Sequence, residues 1–554
     1  MKKSVVLLLL SLAFITKAQT PDRPKLIVGI VVDQMRPDYL SSFFINNKYQ
    51  NNNPIGFMRL AGDGSIFTNI KLYYMPTYTA PGHAAIYTGK SPIVHGIIAN
   101  NWYDRTMGKM IYCVDDAKYE GVSGKKGSNK KSPHLLMAPT LGDMMKDSNS
   151  QAKVIGISLK DRAAIIPAGK KGDAAYWLDG ETGEWVTSTY YKSALPDWVK
   201  QFNKRKLIKQ FLKKQWELLF PTTVYKSKLP DNNPYEGVFK GEENPVFPHN
   251  IPKLKRKNGG YNLIKSTPYG NELTAEFAKA AILNEQLGND DVMDLLSISF
   301  SSTDYIGHQF GPHSLELEDT YYRLNIVLED LIVFLNKQIG KDNYLLFLTS
   351  DHGVQENPIY TKEQLKKDAG YLNIDSITVK LKDTLEVEYG SPDIIEANCN
   401  YQYYLNFKEI DRIGANADSI KQTIKYYLER QEGIRKVYTK TVITGFGINI
   451  EYAIRSGVYK GRSGDVYYIL NEGWLEDEGY GRTGTTHGSI YKDDITIPLA
   501  LYGWKVKKDV EYNPIDIKQL VPALASIIGI DIFEGIYYEN LIKERLYPDE
   551  ARRR

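Results

Sequence analysis

Four short apolar segments of this chain each run into charged or imidazole-bearing residues, and this arrangement constrains the possible folds more than any other feature. Each segment has the length and apolar character of a strand buried on both faces of a parallel sheet. They are Lys25–Val32, Lys153–Ser158, Met293–Phe300 and Asn343–Ser350. A fifth segment of the same kind, Thr496–Gly503, occurs late in the chain and is predicted to be a further strand of this type.

Helical patterns lie between these strands. Apolar residues at helical spacing follow Ser314, a suitable N-cap, and Gly340 is expected to end that helix. A second helix is expected from about Glu272 to Leu287. Alternating strands and helices predict an α/β fold, with a mostly parallel central sheet and helices on both faces. Residues of about 165–270 and 355–480 fit this alternation poorly, and we interpret both as insertions that form a cap or subdomain over the sheet.

The first 18 residues predict export from the cytoplasm. Two lysines precede the apolar run Val5–Ile15, and small residues then allow a signal peptidase to cut after Ala18. The run is about half the roughly 20 residues that a membrane span needs, which leaves an uncleaved anchor as the alternative. We therefore expect residues 19–554 to form a catalytic domain in the periplasm or outside the cell.

Charge and cysteine content exclude some classes of function. Loss of the signal peptide removes three lysines and lowers the formal net charge from +4 to +1. So small an excess gives no reason to expect binding to nucleic acid or to a membrane surface. Cys113 and Cys399 are the two cysteines of the chain, so locally spaced thiolates cannot form a metal site, while a disulfide between them stays open.

Six potential metal ligands follow the predicted strands or lie in a glycine-containing loop. Ligands bind beyond the carboxyl ends of the strands in open α/β sheets, so these side chains are expected to converge there. Asp and His suit Zn²⁺ in open catalytic sites, and six ligands are enough for two ions. The six are Asp33, Asp304, His308, Asp351, His352 and His487. The remaining histidines lack this context and are interpreted as structural: His83, His95, His134, His249 and His313.

Thr79 is the candidate nucleophile. It precedes a short helical run and is expected at the N-cap, where the helix dipole favours an alkoxide or a bound phosphoryl group. Lys160 and Arg162 lie two residues apart, so in an extended segment both would point to one side and could hold phosphoryl oxygens. Asn100 could donate to a third oxygen. The alternatives are a simple capping threonine, a solvated lysine–arginine pair and a turn asparagine.

The motifs around these residues resemble those of the alkaline phosphatase superfamily, in the same order along the chain. They are DQMRPDYL at Asp33, TYTAPGH at Thr79, STDYIGHQFGP at Asp304, SDHG at Asp351 and THG at His487. The same order resembles the nucleotide pyrophosphatase/phosphodiesterases. The addition of Asn100 and of the Lys160/Arg162 pair looks like the phosphate-irrepressible alkaline phosphatases of bacteria, which are monoesterases.

This resemblance implies two zinc ions per chain. Asp304, His308 and His487 would bind one ion, and Asp33, Asp351 and His352 would bind the other, which also touches Thr79. It further implies hydrolysis of small-molecule phosphate monoesters through a phosphothreonine at Thr79, with Asn100, Lys160 and Arg162 on the phosphoryl oxygens. We expect a monomer.

Other functions remain open from the sequence. One alternative is a phosphodiesterase or nucleotide pyrophosphatase on the same two-zinc scaffold. Another is a secreted zinc-binding protein that has lost catalysis. A sulfatase or phosphoglycerate mutase relative fits less well, because Thr79 would then have to be a formylglycine precursor or lie in a different metal context.

Overall fold

A computed structural model describes residues 22–45, 55–439, 450–477, 482–530 and 541–546 of the chain. The predicted signal peptide, residues 1–18, lies outside the described residues. Within the described ranges, no helix is both long enough and apolar enough to cross a membrane.

The described strands and helices alternate along most of the chain. In chain order, strands β1 to β19 are Leu26–Val32, Ser65–Lys71, Asn101–Asp104, Lys109–Tyr112, Gly121–Val122, Val154–Ser158, Ala174–Asp179, Glu184–Ser188, Asp294–Phe300, Tyr344–Thr349, Gly370–Leu372, Ile395–Cys399, Gln402–Leu405, Ile434–Thr439, Val466–Leu470, Trp474–Glu476, Thr496–Gly503, Asp509–Glu511 and Ile515–Asp516. Helices α1 to α19 are Phe57–Asp63, Thr79–Thr88, Pro92–His95, Leu141–Ser148, Asp161–Ala168, Asp197–Lys204, Leu207–Phe211, Ile251–Leu254, Tyr269–Asn284, Ser302–Phe310, Leu315–Gln338, Pro358–Glu363, Ile374–Tyr389, Phe407–Arg412, Ala417–Leu428, Ile450–Gly457, Lys492–Ile495, Leu520–Ile527 and Leu541–Leu546.

An eleven-stranded sheet forms the centre of the molecule. Its strands run in the order β18-β2-β17-β10-β1-β9-β6-β7-β8-β5, and β19 also pairs with β2. Parallel pairing joins β10, β1, β9, β6 and β7, and all four strands predicted from the first four apolar segments lie in this parallel part. The sheet therefore places the carboxyl ends of those four strands side by side.

Helices cover both faces of this sheet, as predicted. Every residue of β1 is buried, and alternate side chains enter different cores. Val28 belongs to a core that includes Phe277 of α9 and Leu328 of α11. Ile27 belongs to the core on the other side, which includes Leu524 of α18. A strand that is apolar along its whole length is thus explained by helices on both sides.

The long helix predicted after Ser314 is confirmed as α11. The Ser314 hydroxyl accepts a hydrogen bond from the Leu317 amide, the expected N-cap interaction, and Gly340 lies just beyond the helix end. The helix expected from about Glu272 to Leu287 is α9, which begins and ends three residues earlier.

Two predictions about the sheet need correction. Thr496–Gly503 is β17, but it pairs antiparallel with both β10 and β2 rather than lying parallel to the other strands. Residues of about 165–270 do not lie wholly over the sheet either, because β7 and β8 extend its edge next to β6. Apolar character identifies a buried strand but does not give its direction or its neighbours.

The region predicted as the second insertion contains a sheet of its own. Strands β12, β13, β15 and β14 pair in that order, all antiparallel. Leu385 of α13, Ile424 of α15 and Tyr403 of β13 belong to a core that is distinct from the cores on the two faces of the main sheet. This segment therefore has its own packing, as a subdomain requires.

His249 links the segment before α9 to the start of α11. Its Nδ1 lies 3.0 Å from Glu242 Oε2, and its Nε2 lies 3.1 Å from Glu316 Oε1. Burial opposes protonation of the ring, but the two glutamates outweigh it and raise the pKa of His249 to about 9. Burial also raises the pKa of Glu316 to about 7. A charged imidazolium best explains the contacts, since a neutral ring can donate to only one carboxylate.

We expect His249→Gln to destabilise the protein more at about pH 6 than at about pH 9. A histidine whose pKa is higher in the folded state contributes stability that is complete below its unfolded pKa of about 6.5 and is lost as the pH rises toward 9. The measurement is the midpoint of urea unfolding of both proteins across that range.

Glu242→Gln provides a second check on the same pair. It removes one negative partner, lowers the pKa of His249 and should move the loss of stability to lower pH. A difference in midpoint between wild type and His249→Gln that stays constant over the whole pH range would contradict the charged link.

Candidate active site

The predicted ligands converge at the carboxyl edge of the central parallel strands. Asp33 directly follows β1, Asp304 lies in α10 after β9, and Asp351 comes two residues after β10. Because these three strands are neighbours, their carboxylates meet, and each of the three residues is at most 4% exposed. Next to β9, β6 leads to Lys160, whose Nζ lies 2.6 Å from Asp33 Oδ2 and 2.6 Å from Asp304 Oδ2.

Asp33, Asp351 and His352 form the first ligand group. Asp33 Oδ1 and Asp351 Oδ2 each lie 3.6 Å from His352 Nε2. All three atoms are buried, and none has a hydrogen-bond partner among the described residues. Burying a polar atom without a partner costs free energy of folding. A cation placed between these three atoms would give each of them a partner.

Asp304 is the centre of the second ligand group. His308 Nε2 and His487 Nε2 lie 3.2 Å and 3.6 Å from Asp304 Oδ1. His352 also belongs here, since Asp304, His352 and His487 offer ligand atoms within 4.8 Å of one another. The rings of His352 and His487 stack with their centroids 3.5 Å apart. The two groups are therefore adjacent and share His352, while His308 lies at the rim.

Backbone carbonyls orient the three histidines of the two groups. Nδ1 lies 2.9 Å from Gly353 O in His352, 2.7 Å from Thr77 O in His487 and 2.9 Å from Thr485 O in His308. A carbonyl can only accept, so each Nδ1 carries a proton and each Nε2 is the nitrogen that faces a ligand carboxylate. This is the arrangement in which histidine binds a metal, with the second nitrogen fixing the tautomer.

Thr79 lies beside the ligand groups with its hydroxyl against two cations. Its Oγ accepts hydrogen bonds from Lys160 Nζ at 3.4 Å and from Arg162 Nη2 at 3.3 Å. The prediction that Thr79 caps its helix is wrong, because Tyr78 is the N-cap and Thr79 is the first residue of α2. Lys160 and Arg162 do reach one point, but Arg162 does so from the first turn of α5 rather than from an extended segment.

Asn100 contacts the same helix start. Its Oδ1 accepts a hydrogen bond from the Ala80 amide at 2.9 Å. This contact fixes the orientation of the side-chain amide and leaves Nδ2 as the group that can donate elsewhere. The four residues predicted around the phosphoryl group, Thr79, Asn100, Lys160 and Arg162, therefore lie together in the structure.

Asp161, between the two predicted cations, is directed away from Thr79. Its carboxylate accepts a hydrogen bond from Tyr112 and pairs with Lys131 at 3.2 Å. Arg162 Nη1 donates to Tyr112 Oη at 3.2 Å, which holds the guanidinium from its far side.

The carboxylates differ in how well the surrounding positive charge stabilises them. Burial, and then the nearby charges of Asp304 and Asp351, raise the pKa of Asp33 well above its usual range. Burial acts in the same direction on Asp304, but the Lys160 ammonium and the His308 ring outweigh it and hold that pKa well below the usual range. Burial lowers the pKa of His352 to about 3, so this ring is neutral at neutral pH.

The donor set fits divalent metal ions. It offers carboxylate oxygens and imidazole nitrogens, which are the ligands of open zinc sites. Three buried carboxylates face one lysine ammonium, so the cluster is short of positive charge. The unpaired atoms Asp33 Oδ1, Asp351 Oδ2 and His352 Nε2 would gain a partner from a bound cation.

Two neighbours of the ligands were missed in the sequence analysis. Gln34 donates its backbone amide to Asp351 Oδ1 at 3.2 Å and its side-chain amide to Asp304 Oδ1 at 3.1 Å, so it links the two groups. His83, interpreted as structural, contacts the Thr79 carbonyl at 2.9 Å and lies 3.2 Å from Asp351 Oδ2. The available indication was proximity, since Gln34 follows Asp33 and His83 lies one helical turn after Thr79.

Asp494 is the third missed residue, and it joins the two loops that carry ligands. Its Oδ2 accepts hydrogen bonds from the amides of Gly488 at 3.1 Å and Ser489 at 2.7 Å, directly after His487. Its backbone carbonyl accepts the Gly353 amide at 2.8 Å, directly after His352. The carboxylate is fully buried. Asp494 thus fixes the position of the His487 loop relative to the end of β10.

The two cysteines do not form a disulfide. Cys113 is buried and Cys399 partly buried, and both are free thiols. Burial raises the pKa of Cys399, and more strongly that of Cys113, so neither thiol has the thiolate character of a metal ligand at neutral pH.

Comparison with known proteins gives a consistent family assignment. A family model described as type I phosphodiesterase / nucleotide pyrophosphatase matches residues 27–490. The chain is 41% identical over 521 residues to a protein from Myroides odoratus named calcium-transporting ATPase, with 93% of each chain covered. It is 36% identical over 525 residues to the alkaline phosphatase PafA of Elizabethkingia meningoseptica, with 94% of each covered.

Solved structures give the same result. The crystal structure of wild-type PafA superposes with a TM-score of 0.88 at 35% identity, covering 94% of this chain and 99% of that chain. A PafA variant in which a threonine, an asparagine, a lysine and an arginine are replaced superposes with the same TM-score at 34% identity, covering 94% of this chain and 98% of that chain. The predicted α/β fold with an alkaline-phosphatase-like architecture is therefore confirmed.

We expect Asp494→Ala to weaken metal binding without removing any ligand. Two backbone amides and the side-chain amide of Gln355 lose their acceptor, the His487 loop loosens, and metal affinity should fall about 10-fold to 100-fold. The measurement is competition between the protein and a chelator for Zn²⁺. Asp493→Asn is the matched control, since the Asp493 side chain makes none of these bonds, and equal losses in both variants would refute the role given to Asp494.

Proposed function

Because the chain belongs to the type I phosphodiesterase / nucleotide pyrophosphatase family and is related within it to the alkaline phosphatase PafA, we propose that it hydrolyses phosphate monoesters with Thr79 as the nucleophile. One observation supports this best. The Thr79 hydroxyl lies at the start of a helix, in contact with Lys160 and Arg162, and Lys160 in turn contacts a carboxylate of each ligand group.

Two zinc ions are the proposed cofactors. Asp33, Asp351 and His352 would hold one ion, and Asp304, His308 and His487 would hold the other, with His352 within reach of both groups. When bound, such ions act as Lewis acids that stabilise the negative charge developing on the attacking and leaving oxygens. The convergence of three imidazole rings with three buried carboxylates supports this assignment.

The protein's own residues position the phosphoryl group for attack by Thr79 Oγ. The bond from Oγ to phosphorus forms as the bond to the ester oxygen breaks, which releases the alcohol and leaves a phosphothreonine. Water then cleaves the Oγ–phosphorus bond and releases phosphate. The start of α2 favours negative charge at this point, because the positive end of the helix dipole lies there.

Three donors around Thr79 match the charge of a monoester. Lys160, Arg162 and the Asn100 Nδ2 group can each bind one of the three non-bridging oxygens of a phosphate monoester dianion. A phosphodiester has one of these oxygens substituted, so one donor would lose its partner. This matching favours monoesterase over phosphodiesterase activity. Phosphodiesterase activity is the second candidate, because the family is described by it.

ATP hydrolysis would follow from the same site. The name of the Myroides odoratus relative includes that activity. The terminal phosphoryl group of ATP presents the same three oxygens as a monoester, so Thr79 would attack it in the same way. Small-molecule phosphates are thus the proposed substrates.

Export to the periplasm or beyond is the proposed location, on the basis of the apolar run and cleavage position before residue 19.

We expect Thr79→Ala to reduce the turnover of an aryl phosphate monoester by about 1,000-fold or more, because alanine has no hydroxyl to attack phosphorus. Steady-state hydrolysis of p-nitrophenyl phosphate measures this. Thr79→Ser is the control, which keeps a hydroxyl and should retain much more activity, and the zinc content of both variants should be unchanged. Near-normal turnover by Thr79→Ala would show that Thr79 is not the nucleophile.

We expect Arg162→Ala to lower kcat/KM for a monoester about 100-fold, and for a matched diester by a clearly smaller factor. The guanidinium would bind non-bridging oxygens, and a phosphate diester has one fewer of these oxygens and one fewer negative charge than a monoester dianion. The measurement compares p-nitrophenyl phosphate with methyl p-nitrophenyl phosphate in wild type, Arg162→Ala, Lys160→Ala and Arg162→Lys. The last variant keeps the charge but loses the planar fork. Equal losses on both substrates would count against the monoester assignment.

A further inference from the structure

A second cavity adjoins the active-site opening. The opening has a volume of about 400 Å³ and is lined by Lys160 and Arg162 among others. The second cavity has a volume of about 330 Å³. Asn262, Lys265 and Tyr305 line both cavities, so the two spaces meet at these three residues. A group attached to a phosphate at Thr79 could therefore extend from the first space into the second.

The second cavity has a strongly positive lining. Lys240, Lys257 and Lys265 all line it, and no aspartate or glutamate does. Among the described residues, none of these three ammonium groups has an ion-pair or hydrogen-bond partner. By contrast, Lys279, which lies elsewhere on the same side of the sheet, pairs with Asp330 and with Glu276. Three unpaired cations around one concavity favour a bound anion.

Uncharged donors complete the lining. Asn258, Asn262, Ser266 and Gln309 supply amide and hydroxyl groups. The side-chain nitrogen of Gln309 is buried and has no hydrogen-bond partner in the described part of the chain. A buried donor without a partner is costly, and an oxygen of a bound anion would provide one. Cations and neutral donors together form the kind of lining that binds phosphate or carboxylate.

Tyr305 lies close to one lysine of the active site and to one lysine of the second cavity. Lys160 Nζ lies 5.2 Å from the centroid of the Tyr305 ring, and Lys265 Nζ lies 6.0 Å from the same centroid. The two nitrogens are therefore at most 11.2 Å apart. Lys160 also contacts Thr79. A ligand with one phosphate at Thr79 and a second anionic group a few bonds away could contact both lysines.

We propose that this cavity, lined by Lys240, Lys257 and Lys265, is a subsite for a second anionic group on the leaving group of the ester. The substrates it favours are phosphate monoesters that carry another phosphate or a carboxylate, such as bisphosphorylated small molecules. This inference rests on the proposed monoesterase function. It assigns the cavity to substrate selection, since none of the three lysines contacts Thr79.

The test compares hexyl phosphate with 1,6-hexanediol bisphosphate at low ionic strength, where screening is weak. Wild type should prefer the bisphosphate in kcat/KM by more than the factor of about two that its two equivalent ends provide. Lys265→Met should reduce kcat/KM for the bisphosphate about threefold to tenfold and leave hexyl phosphate within about twofold, as expected for a partly exposed ion pair.

Controls separate this inference from the proposed function. Lys253→Met changes an exposed lysine that does not line the cavity, and it should leave kcat/KM for both substrates unchanged. Diol bisphosphates of two to eight carbons should show an optimum length, and 6-phosphonooxyhexanoate distinguishes a carboxylate from a phosphate in the subsite. If wild type hydrolyses hexyl phosphate but the ratio of the two substrates is the same in Lys265→Met, the subsite is wrong. If neither ester is hydrolysed, the monoesterase proposal itself fails.

Discussion

The structure depends on three carboxylates that the fold brings together against their mutual repulsion. Asp33, Asp304 and Asp351 extend from neighbouring parallel strands and are buried where water cannot screen them. Lys160 contacts two of them directly, at 2.6 Å from each. The cores on both faces of the sheet supply the stability that holds this arrangement. A cluster of this charge is therefore a candidate binding site for metal cations.

Orientation of the ligands comes mainly from the backbone. Carbonyls of Gly353, Thr77 and Thr485 fix the three histidine rings, and Asp494 fixes the loop after His487. These partners lie in loops at the sheet edge, and the loops are joined to one another. At Gly484, a Cβ would lie 1.9 Å from the His308 carbonyl, so the loop can approach α10 this closely only with glycine. Ligand geometry is thus a property of the joined loops as much as of the ligands.

Much of this site could be predicted because its residues are tied to strand ends and to helical spacing. Asp33 follows an apolar run, and Asp304 and His308 lie four residues apart in α10, so local pattern was sufficient. The direction of β17 could not be predicted, since a buried strand has the same composition in either direction. Gln34 lies next to Asp33, but its contacts with Asp304 and Asp351 join segments distant in sequence, and the bond of the Asp494 carbonyl to the Gly353 amide does the same. Local patterns do not encode such contacts. The sharing of His352 by two ligand groups depends on ring stacking that only the folded chain shows.

The position of Thr79 shows how a small departure from prediction bears on chemistry. A threonine at the N-cap uses its hydroxyl to accept a hydrogen bond from a first-turn amide. Thr79 is instead the first residue of α2, and the Ala80 amide is bonded by Asn100 Oδ1. Asn100 thus satisfies a backbone donor that a capping side chain would otherwise serve. The Thr79 hydroxyl makes no capping bond and instead accepts from Lys160 and Arg162, so it stays directed at the cations of the site.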